Sequence, residues 1–130
     1  MPDVGSLDVE HHVLGDVRRV IGNALEVAFS RAVIVITTGG LGPTPDDITR
    51  KVLASVLSRQ LILREDLVGL LEERYARMGR TAPASLQSQA LIPYGADLIE
   101  NTIGTAPGLR MQTKEGRVVY SLPGVPREME

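Results

Sequence analysis

The chain has 130 residues, a formal net charge of −2 and 43% hydrophobic residues, which is one domain's worth of sequence, long enough to bury roughly two-thirds of its unfolded surface. One Phe, three Tyr and no Trp leave the core to aliphatic side chains, and the absence of cysteine removes disulfides, thiolate metal sites and cysteine nucleophiles together. No basic excess favours nucleic acid as a partner. No signal-peptide pattern opens the chain and no apolar run nears the roughly 18 residues of a membrane span, so the expectation is a cytoplasmic protein without a membrane partner.

Leu7 to Leu14 alternates, with Leu7, Val9, His11 and Val13 on one face and Asp8, Glu10 and His12 on the other, as a half-buried strand near a sheet edge does. His11 and His12 point to opposite faces and cannot share a metal; a structural or solvated role is expected of both. Asp16 then caps a helix whose Val20, Ile21, Ala24, Leu25, Ala28 and Phe29 form one apolar stripe. Val33 to Ile36 is an unbroken β-branched run, the pattern of a central strand covered on both faces.

At the carboxyl end of that run stand Thr37, Thr38, Gly39, Gly40 and Gly42, where glycines permit positive φ and close approach of a ligand to the backbone. Thr44-Pro45-Asp46-Asp47 predicts a helix start, with Thr44 as N-cap, Pro45 first in the helix and acids in its first turn, and the helix running on through Ile48, Val52, Leu53, Val56 and Leu57. Strand, glycine loop and helix N-terminus make a site for an anion such as phosphate. Two readings of Asp46 and Asp47 stand: they stabilise the helix start, or they share a magnesium-like ion with a bound phosphate. No Gly-Lys-Ser/Thr closes the loop as in a nucleotide P-loop, and the third glycine of a dinucleotide fingerprint is missing.

Gln60 to Leu63 reads as a short apolar link. Glu65 to Arg80 follows as a helix with Leu67, Leu70, Leu71, Tyr75 and Met78 at core spacing, and with Glu73–Arg77 as an i,i+4 pair on a solvated face. Pro83 starts a short helix over Ser85 to Ala90, ended by Ile92-Pro93. Ala96 to Glu100 reads as a strand leading to the Gly104 to Gly108 loop, and Leu109 to Thr113 and Arg117 to Leu122 flank Lys114-Glu115-Gly116 as a hairpin. Pro123-Gly124-Val125-Pro126 closes the second arm, either as a rigid turn or as a ligand wall. The expected fold is a single three-layer α/β domain over 1–130, with a mostly parallel sheet, a hairpin edge, and ligand loops meeting after Ile36 and Leu122. Glycine N–H groups, threonine hydroxyls and two carboxylates suit metal-assisted attack on a phosphoanhydride better than covalent catalysis.

Thr38-Gly39-Gly40-Leu41-Gly42-Pro43-Thr44-Pro45-Asp46-Asp47-Ile48-Thr49-Arg50 resembles the signature of the amino-terminal domain of competence/damage-inducible protein A (CinA), within the molybdopterin-binding (MoCF biosynthesis) superfamily. Gly104-Thr105-Ala106-Pro107-Gly108 and Leu122-Pro123-Gly124-Val125-Pro126-Arg127-Glu128-Met129 resemble its two later motifs, in order. The CinA resemblance implies a divalent-metal-dependent hydrolase of ADP-ribose or a related phosphoanhydride; the wider superfamily implies a non-catalytic module binding molybdopterin or a nucleotide. Residue by residue it implies Asp47 as metal ligand and, with Asp46, as catalytic acid pair. It implies Thr38, Gly39, Gly40, Gly42, Thr44, Gly104 and Thr105 as substrate-binding, and Pro123, Gly124 and Pro126 as the opposing wall. The family's opening strand, its Gly-Asp/Glu-Leu-Leu-type loop and first helix are not visible before Leu7, and the helix after Pro-Arg-Glu-Met-Glu is not reached. The expectation that follows is an exposed sheet edge and a homodimer with weak or no hydrolysis.

Overall fold

The structure is a computed structural model, and it describes residues 18–42, 47–101 and 106–124. Its four-stranded sheet is ordered β1 (Ile34–Thr38), β6 (Val118–Leu122), β5 (Gly108–Gln112), β4 (Asp97–Ile99). β1 runs parallel to β6, while β5 pairs antiparallel with both β6 and β4. The β5–β6 hairpin is the one expected: Gly116 takes φ +83 and donates its N–H to the Thr113 carbonyl, and Thr113 donates to the Arg117 carbonyl. The strand at 7–14, its two histidines and the Asp16 cap lie outside the described residues.

Register sorts the side chains onto two faces. Val35 lies opposite Val119, which lies opposite Met111, and Thr37 opposite Ser121, which lies opposite Leu109. This face is the buried one, and its apolar members join one core cluster with Leu25 of α1 (Arg18–Arg31), Val52 and Leu53 of α2 (Thr49–Val56) and Leu67, Leu71 and Tyr75 of α3 (Glu65–Arg77). The spacing of three and four residues that predicts the α3 stripe is correct for Leu67, Leu71 and Tyr75, whereas Leu70 and Met78 lie off it and are exposed. The Glu73–Arg77 pair forms at 2.7 Å on the outer side.

Two expectations change. β1 is not a central strand among the described residues: it ends the sheet order, and Ile34 and Ile36 are 59% and 62% exposed while Val35 between them is 8% exposed. A β-branched run declares that both faces can be buried, but it does not say which segment covers each, and the described helices cover only the face that carries Val35. The Gln60 to Leu63 link is also more ordered than expected. It contains β2 (Leu61–Leu63), which pairs antiparallel with β3 (Leu91–Pro93), and together they form a separate ribbon; β3 starts two residues after the short α4 (Leu86–Gln89).

These faces predict opposite mutational costs. Leu53 is fully buried, so Leu53→Ala should lose about 2–5 kcal/mol in a urea melt, whereas Ile36→Thr should change stability by no more than about 0.5 kcal/mol. An Ile36→Thr cost as large as that of Leu53→Ala would show that the outer face of β1 is covered in solution.

Candidate functional site: the loop after β1

Gly39 continues the β1–β6 pairing by donating its N–H to the Leu122 carbonyl at 2.9 Å, and then the chain turns with φ +90 at Gly39 and +75 at Gly40. What holds this turn comes from the first two residues of α2. The Thr49 hydroxyl donates to the Gly39 carbonyl at 2.9 Å, the Thr49 N–H donates to the Gly40 carbonyl at 3.1 Å, and Nη1 of Arg50 donates to the Leu41 carbonyl. Nη2 of Arg50 reaches the Gly42 carbonyl at 3.3 Å and the Ser88 carbonyl of α4 at 3.1 Å.

Three consecutive carbonyls, Gly39, Gly40 and Leu41, thus point toward the start of α2. In a trans peptide the following N–H lies antiparallel to the carbonyl, and the chain has no cis bond among the described residues. The N–H groups of Gly40, Leu41 and Gly42 therefore each point away from the donor that holds the carbonyl of the same peptide, the orientation a backbone anion nest requires. The loop packs so tightly on Thr49 that a Cβ at Gly40 would overlap the Thr49 hydroxyl. The second loop closes from the other side, since a Cβ on Gly124 would lie 2.9 Å from Gly39 Cα. Beneath them the strands are stapled by Thr37, whose hydroxyl donates to that of Ser121 at 2.8 Å.

The helix start differs from its prediction. α2 begins at Thr49 with Ile48 as N-cap and no acid in its first turn, so Asp47 precedes the helix. The first N–H of α2 is spent on the glycine loop itself, so that N–H is not left to a ligand. Asp47 lies against that loop, where a Cβ on Gly42 would come within 2.7 Å of its Oδ2. Arg50 is 5% exposed; burial pushes it down to about 10, partly countered by the Asp47 carboxylate, so it stays cationic at neutral pH.

The structure therefore brings together Thr38, Gly39, Gly40, Gly42, Asp47, Pro123 and Gly124 at the carboxyl ends of β1 and β6. Thr44, Asp46, Gly104, Thr105 and Pro126 lie outside the described residues. Asn101, which is buried, donates from Nδ2 to the Ala106 carbonyl at 2.9 Å and ties together the two sides of the segment that carries Gly104 and Thr105. Sequence reasoning passed over Arg50, although a signal existed: a cation in the first turn of a helix opposes the macrodipole and needs carbonyl partners elsewhere. Among the described residues no group of three His, Cys, Asp or Glu could hold a metal. Asp47 alone fits only an ion that takes most of its ligands from water and phosphate oxygens, which is magnesium's habit.

Residues 3–130 match the family model described as a probable molybdopterin binding domain, MoCF biosynthesis. The chain belongs to that family. Curated relatives are CinA-like proteins, among them that of Gloeothece citriformis, 39% identical over 98% of this chain and 31% of its own length. That of Gemmatimonas aurantiaca is 42% identical over 93% of this chain and 28% of its own length. The chain thus spans less than a third of these relatives. Among solved structures, CinA from Thermoplasma acidophilum superposes with a TM-score of 0.77 at 37% identity, covering 88% of this chain and 66% of that one. No described helix is long and apolar enough to cross a membrane.

Two glycines with left-handed φ test the tightness of the loop. Gly116→Ala meets open space and should cost about 1–2 kcal/mol for conformation alone. Gly40→Ala bears the same conformational cost and must also displace the Thr49 hydroxyl, so its urea midpoint should fall clearly further. Equal losses would mean that Thr49 yields freely and that the loop is not held by it.

Proposed function

We propose that the Gly39–Gly42 loop is the phosphate-binding wall of a pocket for a phosphorylated small molecule, a nucleotide such as ADP-ribose or a pterin such as molybdopterin. The observation that carries this reading is that the carbonyls of Gly39, Gly40 and Leu41 are held by Thr49 and Arg50, which turns the N–H groups of Gly40, Leu41 and Gly42 the other way. Gly124, whose Cα lies against Gly39, bounds the pocket on the second side. The lack of side chains on Gly39, Gly40 and Gly42 lets a phosphate approach the backbone directly.

Hydrolysis is the finer part of the proposal, and Asp47 beside the nest supports it. A bound divalent cation would polarise the phosphoanhydride and lower the pKa of water. Asp47, with Asp46 next to it in sequence, would hold that ion, while the loop N–H groups take up charge on the phosphoryl oxygens as it develops. Water adds to one phosphorus of ADP-ribose, the bridging P–O bond breaks, and AMP and ribose 5-phosphate leave as the water gives up its protons to solvent. The second reading is a module that binds without chemistry; membership of a molybdopterin-binding family favours it.

Calorimetry with ADP-ribose and magnesium, paired with chromatography for AMP, separates the two. Binding with steady AMP release that Asp47→Asn abolishes, at a melting temperature within a few degrees of wild type, supports the hydrolase. Binding without AMP supports the module, and no binding of any phosphorylated ligand would sink both.

A further inference from the structure

We propose that Arg50 is a positioning residue that sets the anion affinity of the glycine loop without touching the ligand; this deepens, and rests on, the phosphate-binding reading above. The guanidinium sits behind the loop, on the carbonyl side, and its donors go to the carbonyls of Leu41, Gly42 and Ser88. Of these, the Leu41 carbonyl decides the direction of the Gly42 N–H, because one rigid peptide plane carries both. Thr49 fixes the two peptides before it, so the Leu41–Gly42 peptide is the one of the three that Arg50 holds.

The bond to Ser88 fixes the guanidinium in turn. Ser88 belongs to α4, 38 positions along the chain, so the loop is braced against a second element and not only against its own helix. A planar guanidinium donates from two nitrogens held at a fixed separation, which the single ammonium of a lysine, with its three donors on one centre, does not reproduce. Arg50 also contributes a charge. It is buried and cationic, so its positive field acts on the far side of the loop with little screening, aligned with peptide dipoles whose carbonyls face it and whose N–H groups face the ligand. Asp47 acts on the same guanidinium, so a variant that keeps the charge and changes the donor geometry isolates the geometric role.

The test is a ¹⁵N NMR titration of the full chain with pyrophosphate. Wild type should show saturable shifts at the Gly40, Leu41 and Gly42 amides. Arg50→Lys keeps the charge and loses the fork, so its apparent Kd should rise by about tenfold or more, which is 1.4 kcal/mol by the conversion constant, and the Gly42 shift should shrink most, while core methyl resonances of Leu53 and Met111 stay in place. Equal affinity and equal Gly42 shifts in Arg50→Lys would overturn the positioning role with the phosphate reading intact. Absence of any shift at the three amides in wild type would overturn the phosphate reading, and this proposal with it.

Should Arg50→Lys fail to fold, the wild-type protein still decides. Ligand bound to the N–H side must stabilise the carbonyl side by linkage, so the Arg50 Nη protons should exchange with solvent more slowly at saturating pyrophosphate. Unchanged exchange, with the amide shifts present, overturns the proposal.

Discussion

The site depends on one constraint: the carbonyls of Gly39, Gly40 and Leu41 are all claimed by the first two residues of α2. A loop of glycines is entropically expensive to order, because glycine loses more backbone freedom on folding than any other residue. Here the cost is offset by bonds that water would otherwise make with those carbonyls, and by burial of Leu41, which is 2% exposed and anchors the middle of the loop in the core. The polar loop thus has an apolar root. Its acceptors are held on one side, which sets the direction of the donors in the same peptides.

Much of this was legible in the sequence, and the parts that were not share a cause. The β-branched run before Thr38, the glycines after it and the Gly116 hairpin are local signals, and each is found where it was expected. The meeting of the loops after β1 and β6 was expected from two glycine-bearing loops at strand ends, and the parallel pairing of those strands is what produces it. Arg50 was not readable as a brace, because its partners include the Ser88 carbonyl, and a backbone carbonyl leaves no trace in residue identity. The exposure of Ile34 and Ile36 was hidden for a similar reason: the run Val33 to Ile36 specifies what the strand can bury, not what is packed against it. The β2–β3 ribbon escaped notice because three-residue strands carry too little periodicity to be told from a link.

The helix start carries the most instructive difference. Pro45 and the two aspartates have the composition of a first turn, yet the helix begins at Thr49. A capping signal competes with whatever else the orphan N–H groups of the helix can find, and here the Thr49 N–H finds the Gly40 carbonyl at 3.1 Å. With the start of α2 past Asp47, that carboxylate lies outside the helix, against Gly42 and near Arg50. The same displacement that spoils the capping prediction places an acid beside the glycine loop, which is the position that the metal role proposed for it needs.

Rigidity on both sides follows from the strands beneath. β1 and β6 are adjacent and parallel, so the loops that leave them start side by side, with Gly39 still bonded to Leu122. The approach of Gly124 to Gly39 leaves no room for a side chain at Gly124, so the two backbones meet in direct contact just above the ladder. Thr37 and Ser121 bond across the same pair one step down. A phosphate bound as proposed would therefore meet one body, with the ordering of Gly39, Gly40 and Gly124 already accomplished in folding, which is the condition under which a few backbone N–H groups can bind an anion tightly in water.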